Sequence, residues 1–291
     1  MSTPVHLAPA PGRRRGPIRR LLETRGLVGR HEAPHVTTRL VAADGTRLVG
    51  SYLPASRAEE AVLLLHGFAA NRRKPAYARL ADGLASRVPV LALDLRGHGG
   101  SQGWSTFGDR EVEDVVAGVD WLRRLGHARV VVVGLSMGAT AALHAASTGL
   151  DLGGVVAISA PATFRDEPET EATRRLKRVW DSPAQRRALH LALGVRLAGP
   201  EHWRRPSHPV AMAAHITSPL LVVHGEDDAY FPMSDAEALA AAAGGPAMLW
   251  REPAGFGHAE DGVVPAFVDA LGAAVVAGPR QGRFPARQEL R

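Results

Sequence analysis

The residues with the clearest chemical potential form one pentapeptide, Gly134-Leu135-Ser136-Met137-Gly138, a G-x-S-x-G pattern. The β-branched run Val130-Val131-Val132-Val133 enters it, and Ala139-Thr140-Ala141-Ala142 leaves it. That pattern predicts a buried strand, a sharp turn and a helix. Glycines on both sides leave room for neighbouring backbone, and the turn holds Ser136 out at the edge of the sheet. A serine hydroxyl is a weak nucleophile near neutral pH and needs an adjacent base. Chance, or an ordinary helix cap, gives the same five letters, so the partners decide.

Two later segments supply them. Pro219-Leu220-Leu221-Val222-Val223-His224-Gly225-Glu226-Asp227-Asp228 reads as a buried strand ending in an acidic turn. Ala254-Gly255-Phe256-Gly257-His258-Ala259-Glu260 reads as a glycine-rich loop carrying a histidine. A histidine takes the serine proton and returns it to the leaving group. A carboxylate on its other ring nitrogen fixes the tautomer and stabilises the imidazolium. His258 is favoured because it follows Gly255 and Gly257 late in the chain; His66, His98 and His224 adjoin motif glycines and read as structural. Asp227 and Asp228 both lie past the strand end, and either can serve as the acid.

Two upstream motifs complete the set. Ala61-Val62-Leu63-Leu64-Leu65-His66-Gly67-Phe68 is a buried strand ending in His-Gly-Phe, and Asp94-Leu95-Arg96-Gly97-His98-Gly99-Gly100-Ser101 is a strand end reading D-x-R-G-H-G-x-S. With these motifs in order, the chain resembles the α/β-hydrolase superfamily over about residues 36–276. Within it, the chain looks most like the serine aminopeptidase/monoacylglycerol-lipase-like branch, many of whose members are carboxylesterases. The family's nucleophile, acid and histidine occur in the order seen here. Its acid turn, G-x-x-D, selects Asp228 over Asp227. The resemblance also implies an oxyanion hole formed by the backbone N–H groups of Phe68 and Met137. Asp94 and Arg96 then read as ordering a tight loop near the site.

The elements that must hold these residues follow from the pattern. Val36–Ala42 and Thr46–Leu53 flank Ala43-Asp44-Gly45, a hairpin signal. Strands at Ala61–His66, Val88–Asp94, Arg129–Gly134, Gly154–Ser159, Leu220–His224 and Ala247–Arg251 alternate with helices near Pro75–Arg87, Asp109–Leu125, Asp235–Ala243 and Val263–Val276. The expected fold is α/β: a mostly parallel, doubly wound sheet. Between Pro161 and His215 the alternation stops, and helices are expected near Glu169–Trp180 and Pro183–Leu197. The resemblance makes this insertion, after the sixth strand, a helical cap over the site. Its basic residues, among them Arg174, Arg175, Lys177, Arg178, Arg204 and Arg205, read as a solvated helix face; the sharper alternative is a basic mouth for anionic substrates.

The domain reading is therefore a core of 36–160 and 216–278, a cap of 161–215, a basic flexible segment at 1–35 and a polar tail at 279–291. The size of 291 residues suits one large domain, and with no cysteine neither a disulfide nor a zinc–thiolate site is available. No cofactor and no metal are expected. The absence of cysteine and of a signal sequence suits the cytoplasm. Aromatic residues make up only 5% of the chain, which argues against nucleic-acid binding despite a formal charge of +6. Much of that charge lies in the N-terminal segment, where a short amphipathic helix around Ile18–Glu23 suits weak contact with an anionic membrane surface.

The expected activity is cleavage of a small-molecule acyl ester through an acyl-enzyme on Ser136, Asp228 and His258. Acyl transfer or thioester cleavage on the same residues is the nearest alternative. A non-catalytic binding member of the fold is the alternative from another class. The sequence does not specify the oligomeric state.

Overall fold

The computed structural model describes residues 29–56 and 59–290. The Ile18–Glu23 segment lies outside them. In chain order the elements are β1 (Val36–Val41), β2 (Arg47–Leu53), β3 (Glu60–Leu65), α1 (Pro75–Ala85), β4 (Val90–Asp94), α2 (Glu111–Arg124), β5 (Arg129–Leu135), α3 (Met137–Ser147) and β6 (Gly154–Ile158). After them come α4 (Glu171–Asp181), α5 (Pro183–Leu193), α6 (Pro209–Ala213), β7 (Leu220–Gly225), α7 (Met233–Ala242), β8 (Ala247–Glu252) and α8 (Pro265–Gln281).

The strands form one sheet in the order β1-β2-β4-β3-β5-β6-β7-β8. β2 pairs antiparallel with β1 and with β4, and every pairing from β4 to β8 is parallel. The central strands are buried on both faces, which is why they read as unbroken apolar runs. In β5, Val130 and Val132 pack with α2 and α3, while Val131 and Val133 pack with α1 and α8. Each such side chain contributes about 1.5–3 kcal/mol on leaving water.

The strand order positions the site. From β3 the chain moves outward to β4, then crosses to the other side of β3 to form β5. Loops leaving β3 and β5 therefore part in opposite directions and open a crevice at the carboxyl ends of these strands. The His66-Gly67-Phe68 exit and Ser136 lie at this crevice.

Three regions differ from the sequence expectation. Residues 29–35, read as part of a flexible segment, are pinned to the core: the Gly29 N–H donates to the Arg73 carbonyl, and the Glu32 N–H donates to Asp82 Oδ2 at 2.8 Å. His31 is buried beside them, 3.3 Å from the Asp82 carboxylate. The segment 279–291, read as a polar tail, is also packed. Helix α8 continues through Pro279 to Gln281 and ends at Gly282 in the left-handed conformation (φ 66°). Phe284 is then buried, the Trp250 indole N–H donates to the Pro285 carbonyl at 3.0 Å, and Arg287 pairs with Glu252 at 2.8 Å. A proline suggests a helix end, and a single Phe among polar residues gives little periodic signal. Helix α5 stops at left-handed Gly194 (φ 72°) instead of reaching Leu197, because Arg196 and Leu197 pair with the Gly97–Ser105 loop.

Neither α4 nor α5 has a buried residue. Thr170 and Thr173 form a reciprocal capping box at the start of α4. Among the described residues, no helix is long and apolar enough to cross a membrane.

Candidate active site

The turn at Ser136 has the strain its sequence implies. Ser136 sits at φ 52°, ψ −114°, a conformation that side-chain-bearing residues rarely adopt. It is held there by close packing. A Cβ at Gly134 would lie 2.3 Å from the Gly138 carbonyl oxygen, and one at Gly138 would lie 2.7 Å from the Leu65 and His66 carbonyl oxygens. Only glycine at both positions lets α3 start against β5 and the end of β3. The Ser136 N–H also donates to the Ile158 carbonyl at 2.8 Å. The hydroxyl is left at the mouth of the crevice, at the N-terminus of α3.

His258 and Asp228 meet it there. Ser136 Oγ lies 2.9 Å from His258 Nε2, and His258 Nδ1 lies 2.8 and 3.0 Å from the two Asp228 oxygens. A carboxylate can only accept, so Nδ1 carries the proton and Nε2 is free to accept from the serine. The Asp228 side chain is 1% exposed. Burial pushes its pKa upward, but the His258 hydrogen bond and the Tyr230 and Phe231 amides outweigh burial and hold it below the ordinary carboxylate value. Those amides donate to Oδ1 at 2.8 and 3.1 Å. Asp227, the other acid of the turn, is exposed and accepts from the Gly255 N–H at 2.7 Å. It steadies the histidine loop without touching the histidine.

Phe68 and Met137 both line the crevice. The Met137 amide is one of the N–H groups that a helix start leaves without an intrahelical acceptor. The Gly67 amide donates to the Tyr77 hydroxyl at 2.8 Å, which fixes the loop on which the Phe68 amide sits. His66 and His98 are structural. His66 donates through Nδ1 to the Gly67 carbonyl at 2.8 Å and accepts from the Leu95 N–H at 3.0 Å. Burial, with His98 nearby, lowers its pKa to about 3, so it is neutral. His98 donates to the Arg96 carbonyl at 3.0 Å and accepts from the Ala69 N–H at 3.3 Å. The pair ties the β3 exit to the β4 exit. His224 donates to the Phe231 carbonyl at 3.0 Å, behind Asp228. Asp94 accepts from the Arg72 and Gly100 amides at 2.8 Å, and Arg96 grips Asp114 and Asp44.

Several residues with a part in this geometry are silent in the sequence. Tyr77, on α1, accepts from the Gly67 amide, and Lys74, just ahead of α1, is ion-paired with Glu260. This joins the β3 exit loop to the histidine loop. Ser159, at φ 53°, accepts from the Ala259 N–H at 2.9 Å. Only its place just after β6 hints at this. Aromatic rings outside any motif line the crevice: Phe107, Phe164, Trp180, Trp203, Tyr230 and Phe231.

The crevice has a volume of about 430 Å³, within the range of small-molecule sites. Its far wall comes from residues 161–181 and 200–205, between β6 and β7. Arg174, Arg175 and Arg178 do not face it; each pairs with Glu171 on the exposed side of α4, at 3.3, 3.4 and 3.0 Å. This is the solvated-face arrangement. Among the described residues, no group of three or more metal-binding side chains is present.

The arrangement resembles known proteins in fold. A family model described as the alpha/beta hydrolase family matches residues 62–277. No curated protein matches the chain by sequence. Among solved structures, the esterase Pf2001 of Pyrococcus furiosus is 22% identical, with a TM-score of 0.65 over 86% of this chain and 93% of its own. A bacterial membrane phospholipase A is 17% identical, with a TM-score of 0.63 over 90% of each chain. The esterase RhEst1 from Rhodococcus sp. ECU1013 is 22% identical, with a TM-score of 0.61 over 83% of this chain and 98% of its own. At such identities these likenesses show a shared architecture.

Proposed function

The chain belongs to the alpha/beta hydrolase family, and we propose that it is a serine hydrolase of carboxylic esters. The observation that carries this reading is the unbroken relay of hydrogen bonds from Ser136 Oγ through His258 to buried Asp228. His258 Nε2 takes the hydroxyl proton as Oγ bonds to the carbonyl carbon. The carbonyl electrons move onto oxygen, which the Phe68 and Met137 N–H groups receive. Each such donor supplies a few kcal/mol to the transition state. The intermediate collapses, the ester C–O bond breaks, and the proton on Nε2 goes to the leaving alkoxide. Water, deprotonated by the same nitrogen, then attacks the acyl-enzyme and releases the acid and free Ser136. Residues 161–215 act as the cap that closes the site and shapes its acyl specificity.

A fluorophosphonate probe tests this reading. It is expected to label Ser136, and Ser136→Ala is expected to abolish labelling and lower turnover of an acetate ester by about 10⁴-fold or more. Full turnover in that variant would overturn the mechanism.

A further inference from the structure

Three cations, Arg165, Lys177 and Arg205, line the crevice, and three acids, Asp166, Glu169 and Asp181, line it with them. Each cation is already held. Arg165 grips Asp235 and pairs with Glu169 at 3.1 Å; Lys177 pairs with Asp181 at 2.9 Å; Arg205 pairs with Asp166. Arg205 also lies over the Trp203 ring, 5.6 Å from its centroid. The lining charges balance. A substrate anion entering here must break one of these pairs, and it faces the acids while doing so. Among the described residues, every cation lining the crevice is thus already paired with a carboxylate, although the chain as a whole is basic.

The apolar surface of the crevice is continuous and mostly aromatic. Phe68 contacts Phe107 (ring centroids 4.6 Å), Phe107 contacts Trp180 (4.9 Å), Trp180 contacts Trp203 (5.6 Å) and Trp203 contacts Phe164 (5.9 Å). Successive planes meet at 42°, 57°, 82° and 89°, so the wall shows both faces and edges of rings. Flat rings pack well on such a surface, by offset and edge-to-face contacts. The wall begins at Phe68, beside the proposed oxyanion site, and runs into the segment between β6 and β7.

The polarity of the reaction assigns this wall to one half of the substrate. The leaving oxygen must reach His258 Nε2, so the alcohol lies on the His258 side. Tyr230 and Phe231 border that side, with ring centroids 4.1 and 5.5 Å from the imidazole. The acyl group extends the other way, along Phe68, Phe107 and Trp180. We infer that the site takes an uncharged ester whose acyl group carries a flat ring, with Trp180 as the central residue of the acyl wall. This rests on the reading of the site as a serine esterase.

The test compares p-nitrophenyl esters of one alcohol and four acyl groups: acetyl, phenylpropanoyl, carboxyphenylpropanoyl and nonanoyl. The phenylpropanoyl ester is expected to exceed the acetyl ester and its own carboxylated analogue in kcat/KM by about tenfold or more, and to exceed the straight chain. In Trp180→Ala the phenylpropanoyl-to-acetyl ratio is expected to fall about tenfold, while Trp180→Phe keeps most of it. A carboxylated ester that matches the neutral one, a nonanoyl preference, or an unchanged ratio in Trp180→Ala would each overturn the inference while leaving the esterase reading intact. If Trp180→Ala does not fold, the wild-type ranking and Trp180→Phe decide the matter. No turnover of any ester, with no fluorophosphonate labelling, would overturn both.

Discussion

Below the crevice, Ser136 and Asp228 are fixed by backbone packing and buried side chains, and the histidine loop is tied by Asp227, Ser159 and the Lys74–Glu260 ion pair. Above it, α4 and α5 bury no residue; Trp180 joins α4 to the rest through its ring contacts with Phe107 and Trp203, and the exposed ion pairs of Glu171 lie within α4 itself. In the first region Ser136, His258 and Asp228 are held in hydrogen-bond contact by buried, closely packed neighbours. The second can exchange residues at little energetic cost. On the proposed function, positioning resides in the sheet and selectivity in the segment above it, so changes in the two regions should produce different kinds of effect.

The largest expected effect separates the two acids of the turn. Asp228→Asn should lower ester turnover by about ten-thousand-fold with the fold intact, because the histidine loses its oriented tautomer. Asp227→Asn should cost only a few-fold, since that residue bonds the Gly255 amide. Steady-state kinetics on an acetate ester, with circular dichroism for folding, measures both. Equal losses would show that loop anchoring matters as much as the relay.

A middle-sized effect belongs to the sheet. Glu60 begins β3, is 2% exposed at its side chain, and accepts from Arg280 of α8 and Arg129 of β5. The Arg280 hydrogen bonds, working against burial and helped by Arg129, lower its pKa from 4.5 to about 2. A carboxylate with a depressed folded pKa adds stability that is complete above 4.5 and is lost as pH falls towards 2. Both arginines are partly solvent-screened, so the contribution is about 2 kcal/mol. Urea melts of Glu60→Gln and wild type should differ by that amount at pH 7 and converge between pH 4.5 and 2. A gap that stays constant down to the acid limit would show that shape, not charge, is what Glu60 supplies.

The smallest effect is expected above the crevice. Glu171 holds three arginines, but all four side chains are at least half exposed. Glu171→Gln should shift Tm by about 2 °C or less, and less still in high salt. A drop as large as that of Glu60→Gln would erase the distinction between the two regions.

The same distinction governs what the sequence reveals. The sheet was legible because β-branched runs such as Val130–Val133 have few other destinations, and because the glycines at 134 and 138 are required by contacts that no side chain tolerates. Asp228 was separable from Asp227 only by its place in a family pattern; the hydrogen bonds now give the physical reason. Tyr77 gave no signal, since a tyrosine on an apolar helix face looks like core, and its hydroxyl meets its partner, the Gly67 amide, 10 residues away on another element. The arginines of α4 read the same whether they face solvent or substrate; helix phase alone decides, and Glu171 takes three of them. Phe284 and Arg287 were illegible because their partners Gly154 and Glu252 lie in distant parts of the chain.

The backbone at Ser136 has an evolutionary corollary. A side-chain-bearing residue held at φ 52°, ψ −114° costs of order 1–3 kcal/mol, and glycine there would cost almost nothing. With Ser136 as the proposed nucleophile, the chain would be more stable without the residue its chemistry depends on. Drift towards thermodynamic comfort favours a glycine at this position, so only selection for what the hydroxyl does can keep the serine in place.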